Sequence, residues 1–227
     1  MGHADETGWR IGRVNAWLWV CRSQTVTVDV SETSRGQAVP EALLGPAFEG
    51  ILVVEGLKSY AVLAYRKGQC VGQVRRRTGQ LAATLTGLDQ SDVPELPAFL
   101  REALAVAPRR EQLTASGYGR RGHQLAARLD TWLVWPGAAP REDWVRVLSD
   151  PEVPATNNQA ERMLRPAVIC RKSGGCHTSP VGALGHGVLA SLAVSCTQQG
   201  KRFVDLAVGL LRALVPHAIP LEGLPDG

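Results

Sequence analysis

Ile51-Leu-Val-Val-Glu-Gly56 is the stretch on which the fold turns. Four consecutive apolar residues leave no polar face, so the run suits a strand buried on both sides, as in the parallel part of an α/β sheet. It ends in Glu55-Gly56, and open α/β sheets place their ligands just beyond the C-terminal ends of such strands. Toward the N-terminus, Ala16-Trp-Leu-Trp-Val-Cys21 is aromatic and β-branched, and Thr25-Val-Thr-Val-Asp-Val30 alternates with the period of two of a half-buried strand. With an opening strand near Glu6–Ile11 and a break between Gly12 and Asn15, three consecutive antiparallel strands precede the buried one. Pro40–Phe48 reads as a short helix with proline in its first turn. Leu57–Ala64 is expected to be a helix, Tyr65–Val71 to hold another short strand, and Val74–Leu85 to be helical.

The second half of the chain has a different texture. Apolar residues recur at helical spacing in Leu96–Ala107 and Leu125–Trp135, with Pro, Gly and Arg between them, which reads as a helical insertion. Pro151–Ala155 forms a stiff linker. Asn157 or Asn158 then caps a helix carrying Glu161 in its first turn, where the helix dipole favours an anion. Pro166 is expected to kink or break that helix. Pro180–Gln198 reads as a long apolar helix. Phe203–Leu214 reads as an amphipathic one, with Phe203, Leu206, Ala207, Leu210 and Leu214 on one face. Residues from Pro216 onward read as a frayed tail. The expected organisation is thus a core of residues 1–88 and 151–200, a helical insertion of 89–150, a closing helix of 201–215 and a flexible tail of 216–227.

The 227 residues are 44% hydrophobic, enough for a sizeable core. No apolar run reaches the ~20 residues of a membrane helix, because His186 and several glycines interrupt Val181–Val194. The start, Met1-Gly-His-Ala-Asp-Glu6, lacks the basic and apolar parts of a signal peptide. The expectation is a cytoplasmic protein with no membrane partner. Five cysteines without a CxxC pair read as free thiols. Cys170, Cys176, His177, His186 and Cys196 cluster in sequence but lack the paired spacing of a structural zinc site.

The net charge of +4 says less than its distribution. Arg66–Arg77 contains five basic residues and no acid, and Thr156–Arg202 contains six, with Glu161 its only acid. Such stretches favour a polyanion such as DNA, although ordinary solubilising charge produces them as well. Asp5 in the opening strand, Glu55 after the buried strand and Glu161 at a late helix start are positions that a ribonuclease-H-like fold gathers at one sheet edge. Carboxylates so gathered need a cation, and Mg²⁺ supplies it. By spacing alone, surface carboxylates fit the same pattern, since 21 acids offer many triples.

Further residues narrow the choice. Asn157-Asn-Gln-Ala-Glu-Arg-Met-Leu-Arg-Pro166, followed by Arg171-Lys172, strongly resembles the C-terminal signature of transposases of the insertion-sequence 66 family. Asp5-Glu-Thr-Gly-Trp9 with Trp17-Leu-Trp-Val20 is similar to the start of that family's catalytic domain. Phe48-Glu-Gly-Ile-Leu-Val-Val-Glu-Gly-Leu-Lys-Ser-Tyr60 is similar to its second acidic motif. Gln69-Cys70 with Arg75-Arg76 resembles the block that follows, and Gly182–Gly200 the closing segment. The resemblance implies a ribonuclease-H-like mixed sheet flanked by helices, with a helical insertion before the last acidic helix. It implies a DDE-type site in which Asp5, Glu55 and Glu161 hold two Mg²⁺ ions while a 3′-hydroxyl or water attacks a phosphorus at the transposon end. Arg162, Arg165, Arg171 and Lys172 are then candidate DNA-phosphate contacts. Asn157 and Asn158 would orient the helix start and the Glu161 carboxylate. A homodimer, or association with an intact transposase, is the implied assembly.

The sequence departs from the family pattern in three places. Glu55 stands where the pattern has Asp, and the added methylene moves the carboxylate by roughly 1.5 Å. The family's His three residues after the cysteine is here Gln73, which cannot titrate. The chain also starts four residues before Asp5, so the first strand is expected to be short and Asp5 to sit near a fraying end. These departures point to a truncated, impaired copy. The alternative is a non-catalytic DNA-binding or regulatory remnant.

Overall fold

The computed structural model describes residues 1–55, 58–72, 114–130 and 152–214, together with 101, 102, 105, 143, 146, 147 and 150. Five strands, β1 (Gly2–Ile11), β2 (Val14–Arg22), β3 (Thr27–Glu32), β4 (Ile51–Val54) and β5 (Arg66–Gln69), form one sheet in the order β3-β2-β1-β4-β5. The first three are antiparallel, and β4 runs parallel to both β1 and β5. The described helices are α1 (Ala38–Leu44), α2 (Lys58–Ala61), α3 (Ala115–Asp130), α4 (Asn158–Gly174), α5 (Pro180–Gln198) and α6 (Phe203–Leu214). The architecture is mixed α/β. Of the expected helical insertion, α3 and a few single positions are described; the rest, the Val74–Leu85 helix and the tail of 216–227 lie outside the described residues.

Period-two alternation along β1 and β2 sorts the side chains into two cores. Ala4, Trp19 and Cys21 join Leu52 and Val54 of β4 beneath Val39, Tyr60 and Leu63. Trp9, Ala16, Leu18 and Val20 point the other way, against Ala160, Leu164 and Ala167 of α4. That spacing of three and four residues is one face of a helix. All four residues of β4 are buried, as the apolar run required.

The opening strand differs from the sequence expectation. β1 begins at Gly2 and is paired with β2 from His3↔Arg22 to Ile11↔Val14, which places Asp5 opposite Val20. The nine residues of β2 reach back far enough to pair with His3, and Gly2 and His3 gain parallel partners in Leu52 and Val53. Asp5 is therefore held inside a paired strand. Pro166 also departs from expectation, because α4 continues through it from Asn158 to Gly174. Proline deprives the carbonyl four residues back of its donor. That residue, Arg162, is exposed, so water can take the donor's place.

Helix α5 closes the outer edge of β3. Ser179 caps it by accepting from the Gly182 amide at 3.1 Å, with Pro180 in the first turn. The amides of Thr27 and Asp29 donate to Ser195 Oγ at 3.0 Å and Ser191 Oγ at 2.8 Å. Gly187, one turn before Ser191, lies so close that a Cβ there would stand 2.6 Å from the Asp29 carbonyl oxygen. Small residues four apart thus let the helix satisfy strand groups that would otherwise face open solvent. Where the sequence showed no membrane-length run, α5 is one continuous helix of 19 residues with mean hydropathy 1.3, which by length and composition could cross a membrane. His186 and the glycines do not interrupt it. Helix α6 spans the residues expected, and none of them is buried.

Candidate active site

The β1–β2 pairing fixes Asp5 on the face that carries α4, the parity it shares with His3 and Trp9. The Glu6 amide donates to Asp5 Oδ1 at 2.9 Å. Burial, then the Glu6 charge and, less strongly, that of Glu161, push the Asp5 carboxyl up to about 7; the Glu6 amide and Arg35 pull the other way. Glu161 is close enough to be felt because α4 begins above this part of β1. Glu55 follows Val54 at the end of β4. It stands two residues past Val53, the β4 partner of His3, and Asp5 stands two residues past His3 on β1. Glu55 is half-buried, with Oε1 shielded from solvent. Asp5 and Glu161 are thus brought together, with Glu55 at the adjoining strand end. Among the described residues, no three of His, Cys, Asp and Glu are grouped so as to hold a metal ion.

Asn157 sets the height of α4 over the strand. It is fully buried and makes no side-chain cap, contrary to the expectation from sequence. Its Nδ2 donates to the Ala4 carbonyl at 2.8 Å, and its Oδ1 lies 3.2 Å from His3 Nδ1. With Nδ2 so committed, Oδ1 accepts, and His3 Nδ1 carries the proton. Burial holds His3 below its ordinary pKa, so the ring stays neutral. The Asn157 amide donates to Cys70 Sγ at 3.3 Å, and the Val71 amide donates to Ala155 O at 3.0 Å. Val153 packs on β5, where a Cβ on Gly68 would meet its Cγ1 at 2.7 Å. The chain entering α4 is therefore tied to the end of β5 as well as to β1. Asn157 O accepts from the Glu161 amide at 3.2 Å, which places the acid one turn in. Asn158, in contrast, is exposed.

A family model described as the transposase IS66 family matches residues 1–112 and 122–184, a span that holds Asp5, Glu55, Glu161 and the α4 signature. The chain belongs to the IS66 transposase family. Membership brings a role in transposition and, with it, interaction with DNA. The match stops at residue 184, so most of α5 and all of α6 lie beyond it. Searches of curated proteins and of solved structures gave no match.

Arg162, Arg165 and Lys172 of this transposase chain are exposed along α4. Arg171 is engaged within the fold: its guanidinium donates to the Thr7 hydroxyl at 3.2 Å and to the Gly8 carbonyl, and lies over the Trp9 ring at 5.9 Å. All five cysteines are free. Gln73 lies outside the described residues. Reading the sequence missed His3 as the partner of Asn157. The available signal was parity, because His3 is two residues from Asp5 on one strand and so shares its face.

Proposed function

We propose that this chain forms a ribonuclease-H-like catalytic core that cleaves and transfers DNA strands during transposition of an insertion sequence. Asp5, Glu55 and Glu161 are its catalytic acids. The observation that carries this reading is the placement of Glu161, in the first turn of α4, over an Asp5 held in mid-strand whose ionisation it opposes. The sheet order, three antiparallel strands followed by two parallel ones, supports the fold assignment.

The donor set fits Mg²⁺. Carboxylates are the hard oxygen ligands this ion takes, and a cation would offset the burial and repulsion that raise the Asp5 carboxyl. When bound, Mg²⁺ would activate the attacking oxygen and stabilise the leaving one. The protein's own part is positioning. β1 fixes Asp5, Asn157 fixes the start of α4 and hence Glu161, and Arg162, Arg165 and Lys172 offer exposed charges to DNA phosphates, with Arg171 bracing the helix on β1. Glu55 weakens the site, because its extra methylene exceeds the ~0.5 Å tolerance of a catalytic constellation.

A second reading is a non-catalytic, DNA-binding or regulatory chain that associates with another copy or with an intact transposase. The observation favouring it is that Arg162, Arg165 and Lys172 are exposed along α4, charges that suit DNA without any part for the acids. A nicking and strand-transfer assay on transposon-end DNA with Mg²⁺ or Mn²⁺ separates the two. Weak, metal-dependent turnover abolished by Glu161→Ala supports the catalytic core. Salt-sensitive binding without turnover in either metal supports the second reading.

A further inference from the structure

A second feature lies along the same strand. β1 leaves β4 after His3, and a short parallel bridge from Ile11 to His177 covers its far end, with the Gly12 amide donating to His177 O at 2.7 Å. Between the β1–β2 turn and the segment leading into α5 is a cleft of about 890 Å³. Arg10, Arg13, Arg171, Asn15, Trp9 and His177 are among its lining residues, and none of the lining residues is acidic. Arg10 and Arg13 are exposed and make no ion pair or hydrogen bond among the described residues. Arg171 is tied to β1 and Trp9, which makes one wall rigid.

The tautomer of His177 fits the same chemistry. Trp9 Nε1, which can only donate, is 2.8 Å from His177 Nδ1. His177 Nδ1 must accept, so Nε2 carries the proton and is a further donor. The same bond argues against a metal ligand here, because a neutral ring accepting at Nδ1 has no lone pair left at Nε2. Burial and the neighbouring His186 ring hold His177 below its ordinary pKa and keep it in this neutral form.

The cleft lies farther along the strand that carries Asp5. Arg10 is five residues beyond it, about 17 Å along a strand, and by the alternation that separates Ala4 from Trp9 its side chain leaves β1 on the face opposite to Asp5. Gly8 lies between them, exposed, and a Cβ there would meet nothing within 4 Å.

We propose that this cleft is a phosphate-binding site for DNA, in which Arg10 and Arg13 hold the backbone of the strand at a point separate from the acidic site. The proposal rests on reading Asp5 and Glu161 as a site that acts on DNA. It is tested with the full chain and a fluorescein-labelled duplex carrying the transposon end, by anisotropy over a range of NaCl concentrations without divalent metal. Each phosphate contact contributes about 0.9 to the slope of log K against log salt. The double variant Arg10→Ala/Arg13→Ala is expected to lose about 1.8 from that slope with its thermal midpoint unchanged. Lys201→Ala/Arg202→Ala, which removes equal charge elsewhere, is expected to leave the slope unchanged. An unchanged slope in the first variant, an equal loss in both, or no binding by the parent chain overturns the proposal. Nicking with an unchanged slope in the first variant removes the cleft and leaves the catalytic reading standing. A lost slope in a chain that never nicks supports the cleft and counts against that reading.

Discussion

Replacing Asp5 by Asn tests the candidate site through stability, without requiring turnover. The Asp5 carboxyl is raised from 3.8 to about 7, chiefly by burial and then by Glu6 and Glu161. Below the unfolded value both states are protonated and the group contributes nothing. Between 3.8 and about 7 the folded chain keeps a proton that the unfolded chain has lost, so stability falls as pH rises. Above that window the full cost remains. A shift of about three units at ~1.4 kcal/mol each sets a ceiling of about 4 kcal/mol, and partial solvent access brings the expectation to about 2–4 kcal/mol. Asn cannot ionise, yet its Oδ1 can still accept from the Glu6 amide. Urea denaturation in EDTA is therefore expected to show parent and Asp5→Asn nearly equal at pH 4, with the variant more stable by about 2–4 kcal/mol at pH 8.5. Asp29, raised by burial to about 6, titrates in both chains and cancels in the difference. Mg²⁺ added at pH 8.5 is expected to stabilise the parent and not the variant. A stability gap that stays flat with pH would refute the electrostatic argument, and equal stabilisation of both chains by Mg²⁺ would remove Asp5 from the ligand set.

Three further substitutions probe Glu55 and the α5 contact. Glu55→Asp withdraws the carboxylate by roughly one methylene and is expected to raise metal-dependent nicking at least tenfold; a drop in nicking would show that the glutamate is the fitted residue. Gly187→Ala drives a methyl group against the backbone of Asp29 and is expected to cost about 1–3 kcal/mol by chemical denaturation. Gly185→Ala on the same helix faces open space and is expected to gain up to about 1 kcal/mol from helix propensity. Equal effects at the two glycines would contradict the close approach of α5 to β3.

Local pattern carried much of this fold. The apolar run of β4, the alternation in β3 and the 3.6-residue periodicity of α6 are written in short windows, and the structure has those elements close to where the pattern put them. What the sequence did not carry is pairing. Asp5 looked terminal because one strand read alone says nothing of its neighbours, whereas β4 pairs with Gly2 and His3 and β2 with every residue from His3 onward, Asp5 included. Asn157 read as a cap because asparagine before a helix usually is one. Its actual partners, His3 and Ala4, lie more than 150 residues away in sequence. Pro166 read as a breaker because the penalty is local, while the solvent that offsets it depends on which side of α4 faces out. Among the acids, residue types and the family signature marked Asp5, Glu55 and Glu161. The approach of Glu161 to Asp5 depends on how β5 and β1 together seat α4.

The way α5 seats on β3 bears on where this chain can be cut. The serine hydroxyls that receive the amides of Thr27 and Asp29 lie at positions 191 and 195, past the end of the family match at 184. A fragment trimmed to that match would keep only the first turn of the helix and leave β3 as a bare edge, a template for strand addition by a second molecule. Self-assembly of such a fragment would reflect the placing of the cut and would say nothing about how the intact chain associates.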